Sequence, residues 1–175
     1  MKTVLLLRHA KSDWGNPGLP DFDRPLAKRG LKDAPLMGQV LADFEAVPEK
    51  IVSSSAKRAK QTAELVAEAC GYKQSISWQD SFYGAYTDTL IEALKLLPNT
   101  IERAMLVGHN PTMEETAAAL LVSQEEKGWG QLLEIRMPTA ALVCLELDIM
   151  RWEDLEPGDA TLRWFLIPRL VKAIL

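Results

Sequence analysis

Short apolar runs alternate along this chain with longer stretches whose apolar residues recur every three or four positions. Thr3–Leu7 is a run of the first kind and reads as a strand buried on both faces. Asn16–Pro25 holds three prolines, a glycine and several charges, so it reads as a loop. From Lys28 to Phe44, the residues Leu31, Met37, Val40, Leu41 and Phe44 form a helical stripe. Pro35 lies inside that stripe and predicts a kink or a late helix start. Lys50–Ser53 is a second strand. Ala56–Ala69 is a helix with Ala59, Ala63, Val66 and Ala67 on its apolar side and Gly71 as its stop. Ser75–Trp78 suits an edge strand.

Thr87–Leu97 reads as a helix capped by Thr87 or Asp88, with Pro98 beyond its end. Arg103–Val107 is another strand. Asn110 is a good cap and Pro111 suits a first helical position, so a helix is expected from there to about Val122. A polar loop, Gln124–Gly130, follows. Thr139–Leu147 and Leu162–Ile167 are the last strands, joined through Pro157-Gly158-Asp159 in hairpin fashion. The expected fold is α/β: residues 1–175 as one domain, a mainly parallel sheet flanked by helices on both faces, with an antiparallel edge.

Composition narrows the function classes. The chain has 175 residues, 47% of them hydrophobic and 25% charged, as in ordinary soluble domains. A net charge of −4 argues against a general nucleic-acid binder. The N-terminal apolar run passes into Arg8 too soon for a signal peptide, and no segment reaches the roughly 18 apolar residues of a membrane span. Cys70 and Cys144 stand far apart and read as buried thiols of a cytoplasmic protein. Two histidines and no paired cysteines leave no metal-ligand spacing, and no cofactor motif is present.

Those two histidines carry the candidate chemistry. His9 closes the run Val4–Leu7 behind Arg8, and His109 closes the run Ala104–Val107 behind Gly108. Open α/β sheets bind ligands beyond the carboxyl ends of their strands, so this fold can bring both imidazoles to one crevice. Lys57-Arg58 follows a third strand-like run. Two imidazoles and two guanidiniums describe a pocket for a phosphoryl group, because guanidinium keeps its charge and presents paired donors.

Three segments, in this order, resemble the histidine phosphatase superfamily with its phosphoglycerate mutase-like fold. They are Arg8-His9-Ala10, the stretch from Ser54-Ser55 through Arg58-Ala59 to Gln61-Thr62-Ala63, and Gly108-His109-Asn110-Pro111. Arg8-His9-Ala10-Lys11-Ser12, Asp23-Arg24-Pro25-Leu26 with Gly30, and Phe165-Leu166-Ile167-Pro168-Arg169 are similar to its small phosphohistidine phosphatases. The chain departs from the family pattern at Ala10, where the signature has glycine. It departs again at Ser12-Asp13-Trp14-Gly15, where mutase-like members place a phosphate-holding asparagine; Asn16 is the nearest substitute. Asp80 is the nearest counterpart of the glutamate that serves ester-cleaving members as general acid.

The resemblance implies a catalytic set of His9, Arg8, Arg58 and His109. His9 is the expected nucleophile, since a reference pKa of ~6.5 leaves imidazole mostly neutral at pH 7. Arg8 and Arg58 are expected on the phosphoryl oxygens, and His109 beside them as an imidazolium. Arg24 and Ser12 are the substrate-binding candidates; Arg24 either adds a third cation or pairs with Asp21 or Asp23. Lys11 and Asp13 are expected at the entrance and Trp14 at the pocket mouth. The implied activity is a metal-independent phosphatase acting through a covalent phosphohistidine, with phosphohistidine on a protein as substrate. The alternatives are a small phosphate monoester with Asp80 as acid, or a non-catalytic phospho-ligand binding module.

Overall fold

The structure, a computed structural model, describes residues 1–121 and 136–174. The strands are β1 (Lys2–Arg8), β2 (Lys50–Ser54), β3 (Ser77–Gln79), β4 (Arg103–Gly108), β5 (Leu142–Leu147) and β6 (Ala160–Leu166). The helices are α1 (Lys28–Asp43), α2 (Lys57–Cys70), α3 (Thr87–Lys95), α4 (Thr112–Leu121) and α5 (Pro168–Ile174). The strands form one mixed sheet in the order β3-β2-β4-β1-β5-β6. β1, β2, β3 and β4 run parallel, while β5 runs antiparallel to both β1 and β6. The antiparallel edge is therefore where the sequence puts it.

Side chains alternate across a strand, and β1 shows what each face buries. Leu5 and Leu7 pack with Met37 and Leu41 of α1, Ala63 and Val66 of α2, and Val171 of α5. Val4 and Leu6 pack on the other face with Leu90 and Leu94 of α3 and Met113 and Ala117 of α4. All four β1 side chains are fully buried, each contributing about 1.5–3 kcal/mol of apolar transfer. None of the described helices is long and apolar enough to cross a membrane.

Several expected details differ. α1 runs unbroken through Pro35, with no late start. Its buried face is Gly30, Asp33, Ala34, Met37, Gly38, Val40 and Leu41. At 3.6 residues per turn, Leu31 falls about 20° beyond the edge of that arc and is 45% exposed. Phe44 is the C-cap, past the last helical residue, and is 49% exposed, edge-on to Trp164 at 5.5 Å. Tyr86, not Thr87 or Asp88, is the N-cap of α3, without a side-chain capping bond. Asn110 does not cap α4, because its side-chain amide donates to Glu114 and to the Met137 carbonyl instead. β5 starts at Leu142 rather than Thr139, since Ala140 turns the chain at φ 61° just before it. The short α5 was not expected, although Pro168 at its first position is the usual signal. Gly71 does end α2 in the left-handed conformation. The expected loop Gln124–Gly130 and the end of the helix at Val122 lie outside the described residues.

Candidate active site

Strand register assembles the site. β1 and β4 are parallel neighbours, and Arg8 stands opposite Gly108. The next residue of each strand is a histidine, so both imidazoles leave the same edge. Adjacent strands lie ~4.8 Å apart, and the two ring centroids are 5.1 Å apart. β2 flanks β4 on its other side, with Ser53 opposite Val107. Ser54 then places its hydroxyl 2.9 Å from His109 Nε2. Arg58 follows in the first turn of α2, where its Nε donates to His9 Nε2 at 3.3 Å.

His9 is held in one tautomer. Its Nδ1 lies 2.7 Å from the Ala10 carbonyl, which can only accept. Nδ1 therefore carries the proton, and Nε2 offers a lone pair toward Arg58. Only 7% of His9 is exposed. Burial, offset by the Ala10 carbonyl and reinforced by His109, Arg58 and Arg8, lowers its pKa to about 3. His9 is thus a neutral imidazole at pH 7.

His109 departs from expectation. Burial and the charges of Arg58 and Arg8, only partly opposed by Asp21, lower its pKa to about 4. It is a neutral imidazole at pH 7 rather than an imidazolium. Its Nδ1 is buried and, among the described residues, has no hydrogen-bond partner.

The cations converge on a residue the sequence reading weighed only as a loop partner for Arg24. Asp21 accepts from Arg24 Nε at 3.0 Å, from Arg24 Nη2, and from Arg58 Nη2 at 3.0 Å. Its backbone carbonyl takes Arg58 Nη1 at 2.6 Å. Tyr83 adds its hydroxyl at 2.8 Å. Partial burial pushes the Asp21 carboxyl up, but Tyr83, Arg24 and Arg58 outweigh it and hold the group at about 2. A carboxylate thus sits on donors suited to a phosphoryl group. Arg24 Nη1 also donates to the buried Ser12 hydroxyl at 3.3 Å, and its guanidinium lies 3.4 Å from the Trp14 ring centroid. Arg24 is therefore both things the sequence allowed, a cation of the cluster and a partner of Asp21.

Arg8 acts on both imidazoles through its charge. Its Nη1 donates to the Met137 carbonyl at 2.7 Å, and its Nε is buried without a partner among the described residues. Glu114 accepts from Met137 N and from Asn110, so it holds in place the backbone that holds Arg8. Tyr83 also stands edge-on to His109, with ring centroids 5.6 Å apart. Tyr83 and Glu114 escaped the sequence reading. Tyr83 had one available signal, an aromatic next to Gly84 just after the short edge strand.

None of the other candidates is hydrogen-bonded to an imidazole among the described residues. Asp80 accepts a hydrogen bond from the Ser55 hydroxyl. Asp13 and Asn16 accept from backbone amides of their own exposed turns, at Gly15 and Gly18. Lys11 is exposed, and Trp14 lies outermost over Arg24.

The lowered histidine pKa values have a consequence for stability. Unfolding returns each ring to a pKa of ~6.5, so the unfolded chain binds more protons in acid. The histidine contribution is complete above pH 6.5 and is lost as pH falls from 6.5 toward 4. The slope approaches about 1.4 kcal/mol per pH unit for each ring. Asp21, with its lowered value, weakens the fold only below its unfolded pKa of ~3.9. Denaturant titrations from pH 7 to 4 should show this loss, and His9→Asn should remove part of it. A flat profile would contradict neutral buried rings.

Comparison with known proteins agrees with this arrangement. The family model for the histidine phosphatase superfamily (branch 1) matches residues 4–104. An uncharacterized protein of Mycobacterium tuberculosis is 33% identical over 165 residues, covering 93% of this chain and 100% of that protein. A structure from Agrobacterium tumefaciens, provisionally described as the phosphohistidine phosphatase SixA, is 33% identical with a TM-score of 0.78, covering 95% of this chain and 98% of that one. The protein histidine phosphatase SixA complexed with tungstate shares the fold at 21% identity and a TM-score of 0.80, covering 97% and 99%. The matched span holds Arg8, His9 and Arg58, and the register of β1 on β4 adds His109 beyond its end. The chain belongs to the histidine phosphatase superfamily, branch 1.

Proposed function

We propose that this site removes phosphate from phosphohistidine on a protein, without a metal ion, through a phosphorylated His9. The observation that carries the reading is the unprotonated Nε2 of His9, buried between Arg58 and a second imidazole. Nε2 attacks phosphorus, and the P–N bond to the substrate ring breaks. The leaving ring keeps the electron pair and leaves protonated, the proton coming from solvent. Arg58 and Arg8 turn donors to the phosphoryl oxygens, where charge accumulates in the transition state. Water then attacks the same phosphorus, and His109, the second neutral imidazole, takes its proton. The P–Nε2 bond breaks, and phosphate leaves with His9 neutral again.

The substrate class follows from the leaving group. An alkoxide needs a proton donor, whereas a protonated imidazole does not. Asp80, the candidate donor, is engaged by Ser55 and, among the described residues, hydrogen-bonds neither histidine. The name carried by the Agrobacterium protein points to the same class of substrate for that protein. Phosphohistidine proteins, phosphoserine proteins and small phosphate esters should be compared by kcat/KM in the presence of a chelator. Phosphohistidine should lead, and Asp80→Asn should change its kcat by less than about tenfold. A loss of ~10²–10⁴-fold confined to esters, with poor turnover of phosphohistidine, would assign the site to small monoesters. No turnover of any substrate would leave a binding module.

A further inference from the structure

Five exposed cations crowd the surface beside the pocket in a chain whose net charge is −4. Lys28, Arg29 and Lys32 come from the start of α1, and Arg169 and Lys172 from α5. They line two adjoining shallow cavities of about 250 and 290 Å³. The one acid lining either cavity is Asp33, which is fully buried and accepts from Arg29 and Lys172. Lys28, Lys32 and Arg169 have no ion-pair partner among the described residues.

This cluster opposes the local electrostatics. The first turn of α1 carries no acid and no side-chain cap, so Lys28 and Arg29 face the positive end of its dipole. Each costs a few tenths of a kcal/mol at an exposed site. Apolar side chains accompany them: Leu31 is 45% and Leu170 46% exposed.

The patch adjoins the reaction site through the backbone. β6 runs parallel to β1, so α5 begins at the edge where His9 emerges. Ala27 N donates to the Lys11 carbonyl at 2.9 Å, two residues after His9. A Cβ at Gly30 would stand 2.3 Å from that same oxygen, so glycine is what lets the start of α1 lie against the nucleophile loop.

We infer that this face docks an acidic surface of the phosphorylated protein partner, placing the partner's phosphohistidine over His9. The inference rests on the phosphohistidine reading above. The cations steer the encounter and set its salt dependence.

The test uses synthetic phosphohistidine peptides with a glutamate-rich arm, a serine-glycine arm or a lysine-rich arm on either side. At low salt the glutamate peptide should exceed the serine-glycine peptide in kcat/KM by tenfold or more. That advantage should fall below twofold at 0.5 M salt. It should also vanish in the triple variant Lys28→Glu, Lys32→Glu, Arg169→Glu, whose thermal unfolding and turnover of p-nitrophenyl phosphate should match the wild type. Equal rates for all arms, or an advantage that survives in the triple variant, would overturn the docking surface. Failure of the wild type on every phosphohistidine peptide would instead overturn the substrate reading. Docking is then decided by fluorescence anisotropy of the unphosphorylated glutamate peptide, which should bind the wild type and not the triple variant. Tighter binding to anionic vesicles or to an oligonucleotide than to that peptide would also overturn the inference.

Discussion

His9→Ala should abolish turnover while leaving a folded protein. On the proposed mechanism the variant loses the attacking nitrogen, and nucleophile knockouts of this kind cost about 10⁴–10⁶ in kcat. The sheet does not depend on the ring, since β1 is anchored by Val4, Leu5, Leu6 and Leu7. Circular dichroism and thermal unfolding should therefore resemble the wild type. Quenched wild-type enzyme should carry acid-labile phosphate on His9. Label on another residue, or a variant retaining a tenth of the activity, would refute the covalent mechanism.

Arg58→Ala should lower kcat/KM by about 10²–10³-fold, the loss seen when one transition-state donor worth ~2.7–4 kcal/mol is removed. Among the described residues, Arg58 is the only side chain that bonds both His9 Nε2 and Asp21. Arg58→Lys should rescue little, because an ammonium cannot span both partners as the planar fork does. A variant within threefold of wild type would reduce Arg58 to a solvated helix residue.

Most of the fold was legible because its signals are local. The run Val4–Leu7 is apolar on both faces, and the structure buries both. Arg8, His9 and His109 were legible because they stand at strand ends, which show in sequence, and Arg58 because it opens the helix that follows β2. Leu31 was misplaced because helical spacing alone does not say which edge of an apolar arc meets the sheet. Asp21 was seen only as a partner of Arg24. Its bonds to Arg58 and Tyr83 span 37 and 62 residues, and no periodicity encodes such separations. The neutral state of His109 was missed for another reason: it depends on burial and on summed cationic charge, which exist only after folding.

Enzymes that rely on histidine often orient the ring with a carboxylate, which a single mutation can delete. Here the partner of His9 Nδ1 is the carbonyl of the very next residue. No side-chain substitution removes a main-chain carbonyl. The proton's location is inherited with the backbone turn, so sequences that drift at position 10 keep a competent nucleophile while the turn survives. Selection at this position then acts on volume: Ala10 is fully buried, and its amide is tied to Thr62 at 3.0 Å. A larger residue there would be rejected for its size while leaving the hydrogen bond it donates and the one it accepts chemically possible. Such a lineage can change its substrate surface freely and still transmit the same reactive nitrogen.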